Sequence, residues 1–71
     1  MSKLSDQIEI ITAEMERNER ERDSQARRVT EYLTEQDYKD AREAMDRIIA
    51  LQASIGQSRF VLRLLKEVHE L

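Results

Sequence analysis

Seventy-one residues with no cysteine and no proline, 38% of them charged, carry a net charge of −3. A disulfide framework and a thiolate metal site are excluded, and the acidic balance argues against a general phosphate-binding surface. Aromatic content of 4% is too little for a sizeable compact monomeric core, so the expectation is one small domain of solvated helices that enlarges its core by self-association.

The first element begins at a candidate cap, Ser2 or Ser5, with Asp6 and Glu9 suiting the positive end of the helix dipole. The start Met-Ser-Lys-Leu lacks the apolar stretch of a secretory signal and no window reaches the length of a membrane span, which predicts a cytoplasmic chain with no membrane partner. Leu4, Ile8, Ile11, Met15, Asn18, Arg22, Gln25, Val29 and Tyr32 recur at spacings of three and four. Each step returns to one helix face, so residues from about 3 to 33 form a helix that packs along another. Its seam turns polar in the middle, at Asn18, Arg22 and Gln25. Arg22 either snorkels over Ile48 toward Glu43 or Asp46, or the trio marks register and oligomeric state. In residues 14–28 five acids alternate with five arginines, and Glu16 stands four before Arg20. Such interleaving is a solvated helix face, whereas an RNA-binding stripe needs segregated arginines.

Thr34-Glu35-Gln36-Asp37 reads as a new helix start, with Thr34 as the cap. Helix two is expected over about 35–70 on the seam Ala41, Ala44, Ile48, Leu51, Ile55, Ser58, Leu62 and Leu65. The repeat crosses Gly56 without losing phase, which favours a continuous helix with the glycine permitting a close helix approach. The alternative is a turn over residues 54–58 and three helices. A reversal near residue 34 makes an all-α antiparallel helical hairpin roughly 45 Å long, in which residues whose numbers add to about 68 lie level. The terminal end would then join Leu4, Ile8 and Ile11 to the apolar residues of 60–65, and the turn end would join Val29 and Tyr32 to Tyr38 and Ala41.

The polar trio leaves the middle of helix two undercovered, and this predicts a homodimer, a four-helix bundle joined through Met45, Ile48, Ile49 and Ile55. A docking groove for a foreign partner is the competing use of that surface. Residues 31–46 hold six acids (Glu31, Glu35, Asp37, Asp40, Glu43, Asp46) and two bases (Lys39, Arg42), a local charge of −4. Two tyrosines flank the same turn, so Tyr32, Asp37, Tyr38 and Asp40 form a candidate site for a basic protein partner. Dipole matching and solubility account for the acids without any partner and are the reading the acids alone favour. A second candidate patch is the apolar cluster Phe60, Leu64, Val68 and Leu71.

His69 is the only histidine, and with no cysteine it has no companions for a zinc site, so no metal and no cofactor are expected. It suits the negative end of a helix dipole. No nucleophile–base arrangement and no phosphate loop occurs, and a hairpin encloses no pocket for an acid–base pair. The expected function is therefore a non-enzymatic protein-binding module: an adaptor, inhibitor or accessory regulator. The alternatives are a nucleic-acid regulator reading phosphates with Arg27, Arg28, Arg59 and Arg63, and a structural coiled-coil component.

Overall fold

The computed structural model describes residues 3–70. Two helices, α1 (Lys3–Thr34) and α2 (Tyr38–His69), pack against each other as a hairpin measuring 53 × 17 × 12 Å. Among the described residues only Glu35, Gln36, Asp37 and Glu70 lie outside a helix, and none is in a strand. The Ser2 cap lies outside the described residues, and Ser5 falls inside the first turn of α1.

The reversal is built differently from the expectation. Gln36 adopts a left-handed φ of 61° and ends α1. Its amide donates to the Leu33 carbonyl at 3.2 Å, and the Asp37 amide donates to the Tyr32 carbonyl at 2.8 Å. These two bonds form a Schellman cap that satisfies the last carbonyls of α1. Thr34 is still helical, and its hydroxyl donates back to the Thr30 carbonyl at 2.9 Å. Asp37, not Thr34, caps α2: its Oδ1 accepts from the Asp40 amide at 3.3 Å. The start of α2 is therefore Tyr38, three residues later than read from the sequence.

This shift moves the register. Three side-chain pairs cross between the helices: Glu21 with Arg47, Asn18 with Ser54, and Arg22 with Gln52. Their numbers add to 68, 72 and 74, which places the fold point at Gln36.

The seam of α2 is where its repeat placed it. Ala41, Ala44, Leu51, Ile55 and Leu62 are buried, with Ile48, Ser58 and Leu65 half-buried. Burying a residue such as Ile55 contributes about 1.5–3 kcal/mol. Every seam residue of α1 from Leu4 to Tyr32 is half-buried and none is fully so. The polar trio does not uncover the middle of α2, since Leu51 and Ile55 opposite it are among the most buried residues. The Arg22 side chain is only 25% exposed, so its methylenes lie within the interface. Its guanidinium holds Asp23 and Gln52, each at 3.1 Å, and not Glu43 or Asp46.

α2 runs through Gly56 without a break, and the glycine has no positive φ. It permits no close approach of α1, however, because a Cβ built there meets nothing within 4 Å.

Candidate functional site

The acidic turn is assembled from the caps. Asp37 is half-buried because its carboxylate is committed to the N-terminus of α2. Asp40 sits one helical turn on and is half-buried beside it. Hydrogen bonding to Asp37 and the charge of that carboxylate push the Asp40 carboxyl above its ordinary range, with Glu43 adding and Lys39 opposing. Tyr38 is 65% exposed and reaches no core, contrary to the expected contact with Val29 and Tyr32. Tyr32 is half-buried and lines a shallow open depression of about 290 Å³ with Gln25, Asp40, Ala44 and Arg47. The four candidate residues thus share one end of the hairpin, but only Tyr38 is fully presented. Arg47 crosses to α1 with its Nε 2.9 Å from Glu21 Oε1. That bond holds the Glu21 carboxyl below its ordinary range and raises Arg47.

The residues expected at a dimer interface divide. Ile55 is 0% exposed inside the hairpin, so it offers no surface to a second copy that leaves the hairpin closed. Ile48 is half-buried in the same seam. Met45 and Ile49 are exposed, and they lie on the opposite side of α2 together with Phe60 and Leu64. The correction is geometric. Successive residues turn by about 100°, which puts Met45, Ile49, Ala53, Gly56, Phe60 and Leu64 in one sector centred about 150° from the seam. α2 is apolar on two faces and α1 covers one. The signal was available in the sequence: no charged residue occurs from 48 to 58, in a chain that is 38% charged.

Phe60 and Leu64 belong to this outer face and not to the hairpin core, and Val68 is also exposed. Leu71 of that patch lies outside the described residues. Arg63 stacks its guanidinium 5.5 Å from the Phe60 ring centroid. Arg27 and Arg28 stand near the turn, whereas Arg59 and Arg63 stand toward the terminal end, so the hairpin does not gather the four arginines. His69 is in the last turn of α2 with Lys66, as the dipole favours. Among the described residues no group of three or more His, Cys, Asp or Glu is placed to hold a metal, and no helix is long and apolar enough to cross a membrane.

Comparison with family models, with curated proteins and with solved structures found no match to the chain.

Proposed function

We propose that this chain is a non-enzymatic protein-binding module that works as a homodimer in the cytoplasm, as an adaptor, inhibitor or accessory regulator. The observation that carries this reading is the exposed apolar face of α2. Ile49 and Phe60 are 66% and 53% exposed on the face of α2 turned away from α1. The chain exposes 5615 Å². A compact monomer of 8.4 kDa exposes about 4,600 Å². An excess of about 1,000 Å² suits a chain made to be partly covered. The acidic turn is the surface left for a foreign protein, with exposed Tyr38 as rigid contact area and the surrounding carboxylates steering a basic partner.

The test is capture from extract by the intact chain, with and without nuclease, against a turn variant. Asp37 is unsuitable for this because it caps α2, so Tyr38→Ala with Asp40→Asn is the informative pair. A protein retained after nuclease, and lost from the turn variant, is the expected result. Capture of nucleic acid alone would overturn the reading.

A further inference from the structure

The outer face of α2 has an internal symmetry that no contact within the hairpin explains. Consider a point between Ser54 and Ile55 and pair each residue with the one equally far on the other side. Ala53 then pairs with Gly56, Ile49 with Phe60 and Met45 with Leu64. Small meets small, and large apolar meets large apolar. The charges that border this face follow the same rule: Arg42 pairs with Glu67 and Asp46 with Arg63, in each case an acid with a base. An isolated amphipathic helix has no need of this, but a helix that meets its own copy running the other way does, because a two-fold axis brings each residue to the level of its mirror position.

We infer that the hairpin dimerises through the outer face of α2, antiparallel to α2 of a second copy, about a two-fold axis level with the peptide between Ser54 and Ile55. This rests on the protein-binding reading above and names the partner of that face. The layers at the axis are Ala53 against Gly56 of the other copy, flanked by Ile49 against Phe60, then Met45 against Leu64. Arg42 with Glu67 closes the contact at either end, and Asp46 with Arg63 borders the Met45–Leu64 layer. A further observation supports it. Gly56 weakens the helix interior and has no purpose inside the hairpin, where its Cβ position is open. Beside the two-fold axis, next to Ala53 of the other copy, a missing Cβ lets two helix backbones approach closely.

The experiment is sedimentation equilibrium on the full-length chain across concentration, with circular dichroism as a check on helix content. The chain should dimerise, and Ile49→Glu should raise the dimer Kd at least a hundredfold with helicity retained at high concentration. Gly56→Ala should raise the dimer Kd about tenfold while raising the thermal midpoint of the dilute monomer. Asp46→Arg and Arg63→Asp should each weaken the dimer, and the two together should restore it to within a few-fold of the parent. The swap guards against a variant that merely fails to fold, since rescue requires a folded interface. A monomer at 200 μM overturns the inference. So does a dimer that Ile49→Glu leaves intact, or one that the charge swap fails to restore. None of these results touches capture of a foreign protein at the acidic turn, which stands or falls by its own assay.

Discussion

Gln36 reverses the chain at a φ of 61°, a conformation that costs an L residue about 1 kcal/mol and glycine almost nothing. Replacing Gln36 by glycine keeps both backbone bonds of the cap, so it should stabilise the hairpin by up to about 0.5 kcal/mol net of the entropy glycine adds to the unfolded chain. A urea midpoint that falls would show that the Gln36 side chain does something the cap geometry does not. Asp40 supplies a second expectation. Its folded pKa lies above the ordinary value of 3.8, through hydrogen bonding to and repulsion by Asp37. The folded state therefore holds the proton more tightly than the unfolded chain, and stability declines as pH rises from about 3.8 through the folded pKa. Asp40→Asn should remove that decline and leave the variant the more stable at neutral pH. Glu21 has the opposite sign, because Arg47 lowers its pKa from 4.5. Its contribution is present above that value and fades as pH falls through the folded pKa, so thermal midpoints of Glu21→Gln should converge on the parent in acid.

At the scale of the element, the two helices of equal length do different work. α1 has one apolar stripe, interrupted by Asn18, Arg22 and Gln25, and a polar outer side. α2 has two apolar stripes, and the one α1 covers holds every buried residue among those described. Ile55 is the most enclosed of these, and Ile55→Ala should cost about 2–5 kcal/mol through lost burial and the cavity left behind. For so small a domain that is a large share of total stability, and dichroism should show much of the helix lost at room temperature. The contrast with Ile49 is informative. Both are isoleucines in the middle of one helix, but Ile49→Ala should leave the monomeric hairpin nearly unchanged, because its side chain already faces solvent there. Equal losses from the two substitutions would mean that the outer face is covered within a single chain.

For the whole molecule, elongation dominates. A body of 53 × 17 × 12 Å is a single helix pair, and its core is one line of side chains. The proposed pairing of two hairpins through α2 would turn that line into two layers and cover the exposed Met45, Ile49, Phe60 and Leu64 in the same step. It would also place the two acidic turns at opposite ends, about 50 Å apart by helix rise. A dimer with two such tips suits a repeated or symmetric partner, since linking two sites raises avidity without new contacts.

Residue spacing by itself determined the two helices, the antiparallel hairpin and the inner seam, because a period near 3.5 is a local property that survives any tertiary arrangement. All eight α2 seam residues are buried or half-buried, and Gly56 does not break the helix. The fold point was not legible, since a glutamine at φ 61° has none of the glycine that marks such a cap, and the four-residue signal at Thr34 matched a helix start equally well. The division of α2 into a covered and an uncovered stripe was legible only in part. Ile48, Ile49 and Ile55 stand close together in the sequence, and both stripes of α2 share the same period. Only the packing of α1 decides which stripe is consumed, and its long side chains, Arg22 above all, cover the middle that a short polar residue would have left open.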